Sequence, residues 1–202
     1  MIGRAQFTAI ILISSILVVL SAILFITGSS FFVVHRPSAG DWVEKGDAFH
    51  QASRPQDAIN AYTNAIALKP DCVIAYFNRA LLYSLVTREY GKAVDDYTRV
   101  IQLQPNNISA YSNRGRIYQT MLQYDKAIND YTRIIGIDAN AKSLAYYGMA
   151  STYASMNDIK KACEYLNKAI SEGYNTWIRI ESDETLDNIR NAACYKELMS
   201  GR

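Results

Sequence analysis

The hydrophobic pattern divides the chain into two parts that follow different rules. From Phe7 to Ile26 the run FTAIILISSILVVLSAILFI holds no charge, and its polar members are Thr8, Ser14, Ser15 and Ser21. From Asp41 onward apolar residues recur instead at spacings of three and four, the period of one face of a helix. Twenty residues of helix rise about 30 Å, the thickness of a bilayer's hydrocarbon, and hydroxyls can return their hydrogen bonds to the helix's own carbonyls. The run is longer than the apolar core of about 7–15 residues typical of a cleaved secretory signal. Residues 1–36 are therefore expected to be an N-terminal anchor with residues 7–26 spanning the lipid bilayer. A cleaved leader, with Gly28 and Ser30 near the cut, is the alternative. No Cys stands near the end of the run, which excludes a lipidated bacterial signal. Phe31 to Val34 followed by His35 and Arg36 suit the exit from the membrane.

Residues 37–40, Pro-Ser-Ala-Gly, read as a linker. The helical pattern that follows repeats every 34 or 35 positions when aligned on Pro70 and Pro105. Counting places from Ala39, the first unit sets Trp42, Gly46, Phe49, Ala58, Tyr62, Ala65 and Pro70 at places 4, 8, 11, 20, 24, 27 and 32. The second sets Tyr76, Ala80, Tyr83, Ala93, Tyr97, Val100 and Pro105 there after one inserted residue. The third has Tyr111, Gly115, Tyr118, Ala127, Tyr131, Ile134 and Ala139, and the fourth Tyr146, Ala150, Tyr153, Ala162, Leu166 and Ala169. Places 4, 8 and 11 share a face of one helix, and places 20, 24 and 27 share a face of a second. Small residues at 8 and 20 let the two backbones approach, and proline at 32 ends the second helix. A single pair cannot cover its own apolar faces, so the pairs must stack.

This pattern resembles the tetratricopeptide repeat (TPR) family over residues 39–172, divided as 39–70, 73–105, 108–141 and 143–172. The resemblance implies an all-α fold: a right-handed superhelix (α-solenoid) of four helix pairs plus C-terminal capping helices, preceded here by one transmembrane helix. Residues 173–202 supply the cap, since Trp177, Ile178, Leu186, Ile189, Tyr195 and Leu198 are spaced for helices that cover the last pair. Asp183 with Thr185 can start one short helix and Asn191 another. Eleven of the 15 tyrosines fall at places 4, 11, 17 or 24, which makes them packing residues rather than a stacking platform for bases or sugars.

Charge sharpens this division. Two of the 21 basic side chains, Arg4 and Arg36, precede Asp41 and no acidic residue does, so the remainder carries 19 of each sign. A neutral body lacks the basic footprint of a nucleic-acid binder. The short basic start favours a translocated body, on the extracytoplasmic side of a single-pass protein. Arg79 and Arg114 at place 7 match Asp96 and Asp130 at place 23 of the same units, which predicts an Arg–Asp bridge inside each central pair. Cys72, Cys163 and Cys194, far apart and without a CxxC spacing, argue against a disulfide framework and against a zinc site.

Candidate chemistry is sparse. There is no phosphate loop, nucleophile elbow, HExxH or GxGxxG, and His35 and His50 are distant, so the chain is expected to use no metal or cofactor, to act on no small-molecule substrate and not to be an enzyme. Binding remains. In the family that the pattern resembles, places 2, 5, 6, 9, 12 and 13 of each first helix line a concave groove. Here they give an apolar middle, Phe77, Leu81 and Leu85, beside a polar strip of Asn78, Asn113, Arg116 and Gln119, with Tyr147 from unit four. That mixture suits a peptide or partner helix. The expected function is a scaffold or adaptor docking a protein partner in this groove; a soluble exported protein and a recruiting subunit of a separate enzyme are the alternatives. Chaperone-adaptor members hold a terminal carboxylate with Lys at place 5 and Asn at 9 of one unit, Asn at 6 of the next, and Lys at 2 and Arg at 6 of the third. This chain has Val43, Asp47, Asn78, Ser109 and Asn113 there, so that clamp is not expected.

Overall fold

The computed structural model describes residues 36–201, so the expected span at 7–26 lies outside the described residues. Among those described, no helix is long and apolar enough to cross a membrane. The described residues form ten α-helices and no strand: α1 Ala39–Gln51, α2 Pro55–Leu68, α3 Val73–Leu85, α4 Tyr90–Leu103, α5 Ile108–Thr120, α6 Tyr124–Ile137, α7 Lys142–Ser155, α8 Ile159–Ser171, α9 Trp177–Ser182 and α10 Ala193–Ser200. Short 3-10 turns at Ala139–Ala141 and Glu184–Ile189 complete the order. The helices pack as four successive pairs, each against the next, and the Glu184–Ile189 turn closes on α7 and α8.

The linker is shorter than the sequence suggested, because Ser38 already caps α1. Its hydroxyl accepts from the Asp41 amide at 3.2 Å while the Asp41 carboxylate accepts from the Ser38 amide at 2.7 Å, a reciprocal box that satisfies two otherwise open donors. Pro70 and Pro105 stand just beyond the ends of α2 and α4. Unit three stops at the same place without proline, since Asp138 turns its carboxylate to the Asn140 amide and starts the 3-10 turn. Each turn inside a pair passes through one left-handed residue that is not glycine, namely Ser53, Arg88, Leu122 and Asn157.

The core is built from small residues and place 24. Ala58, Ala93, Ala127 and Ala162 are fully buried, as are Ala65, Val100, Ile134 and Ala169 at place 27, and Tyr62, Tyr97, Tyr131 and Leu166 fill the space between. The aromatics at places 4 and 11 are only partly covered. They flank the arginines instead: Arg79 lies 5.7 and 5.9 Å from the Tyr76 and Tyr83 ring centres, and Arg114 lies 5.7 Å from those of Tyr111 and Tyr118.

Both predicted bridges form, and each is two-pronged. Arg79 reaches Asp96 at 2.8 and 2.7 Å, and Arg114 reaches Asp130 at 2.9 and 2.7 Å. The third nitrogen of each guanidinium goes backward to the preceding pair, to Thr63 and Thr98, at 2.9 Å in both cases. Burial works against the charge on Arg114, yet the hydrogen bonds and charge of Asp130 hold its pKa above the ordinary value.

Tyr131 shows how tightly the pairs meet. Its ring lies against Gly115 of its own unit and Gly148 of the next, where a Cβ would stand 2.5 Å from the Tyr131 Cζ. Gly148→Ala should therefore lower unfolding stability by about 1–3 kcal/mol through overpacking. Gly136→Ala, on the same array with nothing within 4 Å of its added carbon, should be neutral or stabilising by about 0.5–1 kcal/mol. Chemical denaturation of the two variants checks the pair, and equal midpoints would refute the close approach.

The expectation against a disulfide is overturned. Cys163 of α8 and Cys194 of α10 are joined across 31 residues of sequence, with Cα atoms 6.1 Å apart. The chain doubles back through the cap, so sequence separation says little about their distance. Cys72 is the free thiol. The cap also buries Ile180, Leu186, Ile189 and Tyr195 in one cluster with Ala150, Leu166 and Ala169. Its 3-10 turn is started by Asp183, which accepts from the Thr185 amide, whereas α10 begins after Ala192 rather than at Asn191.

Candidate functional site

The first helices of units two to four face one cavity of about 410 Å³, and the cap closes one of its sides. α3 supplies Leu81, Ser84 and Leu85, α5 supplies Ser112, Asn113, Arg116 and Gln119, α7 supplies Leu144, Tyr147, Gly148 and Ser151, and the cap supplies Arg179, Asp183 and Thr185. Of the eight residues expected to line a groove, Leu81, Leu85, Asn113, Arg116, Gln119 and Tyr147 meet here.

They meet in two roles. Gln119 is buried and donates to Ser151 and Ser155 at 2.8 and 2.9 Å. Ser151 in turn lies 2.6 Å from the Thr185 hydroxyl, which donates to Asp183, and the same carboxylate accepts from the Tyr147 hydroxyl at 2.6 Å. Tyr147 is stacked on Tyr174 with ring centres 4.3 Å apart. Burial, and then the adjacent Asp183 carboxylate, push the Tyr147 phenol well above its ordinary pKa, so it stays a donor. Gln119 and Tyr147 therefore belong to the wall. Of the other four, Leu81 packs against the core beside Tyr97, while Leu85 and Arg116 are exposed, Leu85 to 66%.

Phe77 and Asn78 lie elsewhere. Phe77 meets the Tyr97 ring edge-on at 5.4 Å, a packing contact between α3 and α4. Asn78 donates to Asp47 at 3.0 Å, and Asp47 also accepts from the Tyr62 hydroxyl at 2.6 Å. That carboxylate thus settles the first place-24 tyrosine. The second and third have no such partner: the Tyr97 and Tyr131 hydroxyls are buried without a hydrogen bond among the described residues. Asn113 and Ser84 face the Tyr97 hydroxyl outside bonding geometry, and Tyr131 lines the cavity.

Sequence reasoning missed Arg179, Asp183 and Thr185, because the cap stands outside the repeat register that picked out the groove. It also missed Leu122, an exposed residue of a turn, and treated Tyr131 as packing alone. No group of three His, Cys, Asp or Glu among the described residues could hold a metal ion.

Tetratricopeptide repeat profiles match residues 43–108, 96–129 and 144–172. The chain belongs to the tetratricopeptide repeat family. Its TPR units also superimpose on solved structures. A crystal structure of MamA, 22% identical, aligns with a TM-score of 0.62 over 76% of this chain and 84% of that one. A tetratricopeptide repeat protein from Parabacteroides merdae, 21% identical, aligns with a TM-score of 0.68 over 81% of this chain and 62% of its own. At such identities the likeness establishes the all-helical TPR solenoid. No curated protein matches the sequence.

Proposed function

We propose that this TPR protein is a membrane-anchored, non-catalytic scaffold that docks a segment of a partner protein in the cavity between α3, α5, α7 and the cap. The observation that carries the reading is the open face of that cavity, where exposed Leu85 and the guanidinium of Arg116 share a lining with buried polar groups. A partner segment with an apolar anchor and polar flanks matches it. The uncharged run at 7–26 supports the anchor. The Cys163–Cys194 bond supports a body on the extracytoplasmic side, because such bonds persist in oxidising compartments.

The test places a photo-crosslinking amino acid at Leu85 or, as a control, at Arg133 on the exposed side of α6, in the full chain expressed in its own membranes. Discrete adducts are expected from position 85 and not from 133. Equal labelling from both positions, or none from 85, would refute docking in the cavity. Carbonate extraction of the same membranes should leave the chain, with Met1 intact, in the pellet; release into the supernatant would refute the anchor.

A further inference from the structure

The cavity's charges point to the chemistry of its occupant. Two guanidiniums, Arg116 on α5 and Arg179 in the cap, line it against a single carboxylate, Asp183. Asp183 already accepts hydrogen bonds from Tyr147 and Thr185 within the wall. Neither arginine has an ion-pair partner among the described residues, in contrast to Arg79 and Arg114. Tyr131 lines the same cavity, 1% exposed, and its buried hydroxyl is a donor without a hydrogen bond. Both arginines lie close enough to Tyr131 for their charges to act on its phenol. Arg179 lies 5.7 Å from the Tyr147 ring centre, but no carboxylate answers either cation, and an unpaired donor beside two cations without an ion pair calls for an acceptor that carries negative charge.

The exposed apolar lining adds a second requirement. Leu85 and Leu122, 66% and 71% exposed, both border the cavity. Leu122 is held in the left-handed region at φ 58°, a conformation that leucine adopts at a cost. The other intra-pair turns share that backbone with Ser53, Arg88 and Asn157, so what sets this turn apart is an exposed apolar side chain beside the cavity, which an aliphatic group of an occupant would cover.

We infer that the cavity takes an internal acidic side chain, Glu or Asp, of the partner segment across Arg116 and Arg179, with an aliphatic neighbour of that residue on Leu85 and Leu122. The inference rests on the docking proposed above and adds the identity of the docked residue. A side chain is the occupant chosen because the lining runs on from α3 through α5 and α7 to the cap, a surface longer than a single terminal carboxylate would use.

The test uses the full chain in detergent and an array of short peptides, acetylated and amidated so that only side chains carry charge. Each peptide pairs Glu, Asp, Gln, Asn, Lys or Arg with an aliphatic residue or Ser. Glu and Asp peptides with an aliphatic neighbour should be retained about tenfold more strongly than their Gln and Asn counterparts at low salt. That preference should shrink as salt rises and vanish in the Arg116→Gln/Arg179→Gln variant. Amide or basic peptides binding as well as acidic ones, a preference that survives in the double variant, or binding only of peptides with a free C-terminus would each overturn the inference. Ser112→Trp, which fills the cavity, separates the two readings. If no peptide binds, or binding ignores Ser112→Trp, the docking itself fails and the inference with it. If Ser112→Trp abolishes binding that shows no acid preference, docking stands and only the acidic residue is wrong.

Discussion

Arg114→Ala should lower the free energy of unfolding by about 3–5 kcal/mol, the largest effect expected of any single side chain in the array. The reason lies in the partner. Asp130 is 1% exposed and its two carboxylate oxygens are held by the guanidinium at 2.7 and 2.9 Å. With the arginine gone the charge stays inside, without water and without a counter-ion. Removing both members at once removes that cost, so Arg114→Leu/Asp130→Leu should be much less damaging than either single change, and the two single losses should fail to add. Urea denaturation of the four proteins measures the cycle. An Arg114→Ala protein within 1 kcal/mol of wild type would mean that the bridge is replaceable by solvent.

Breaking the Cys163–Cys194 bond should cost about 3–4 kcal/mol, concentrated at the end of the chain. A closed loop of 31 residues restricts the unfolded cap, and its loss returns that freedom. Cys163→Ser/Cys194→Ser should therefore add a first, separate transition on heating, reported by the fluorescence of Trp177, which packs against the cap cluster. The same change should weaken whatever the cavity holds, since Arg179 and Asp183 arrive with the cap. Identical melting curves with and without a reductant would show that apolar burial alone holds the cap in place.

Much of this architecture could be read from residue spacing. Alanine at place 20 and tyrosine at place 24 are local facts of helix geometry, repeated often enough to give the register. Arg79 and Arg114 could be matched to Asp96 and Asp130 because both partners recur in the same two units and are absent from the others. In the cavity, Leu81 and Leu85 follow from one face of α3, and Asn113 and Arg116 from the matching face of α5. What spacing could not supply was the path of the chain after the last repeat. The cap folds back, so it brings Cys194 to Cys163, covers Tyr147 and adds Arg179 and Asp183 to the site, and none of those contacts has a period. Gln119 was assigned to the right face for the wrong purpose: the face points to the cavity, but Ser151 and Ser155 of the next unit reach its amide first. Phe77 shows the converse, an inward place occupied by a side chain long enough to turn onto its own partner helix.

The backward reach of the two arginines has a consequence for how the array is held together. Thr63 and Thr98 each donate to a carbonyl one turn earlier in their own helix, at 2.8 and 2.7 Å, while accepting from the arginine of the next unit. Thr132 stands at the equivalent position of unit three and makes the same bond to its own helix. No arginine follows it, because unit four has Met149 there. Charged hydrogen bonds thus link units one to three, whereas the seam between units three and four is closed by neutral groups: the Tyr131–Gly148 contact, the Gln119 bonds, the Tyr124 hydroxyl on the Ser155 carbonyl and the apolar cluster of Ile134, Ala145 and Met149. In a linear array, where coupling passes only between neighbours, salt should therefore act on the first two seams and leave the third untouched. The cavity straddles that neutral seam, with Arg116 on one side and Arg179 on the other, so its two free cations belong to units that no ion pair joins.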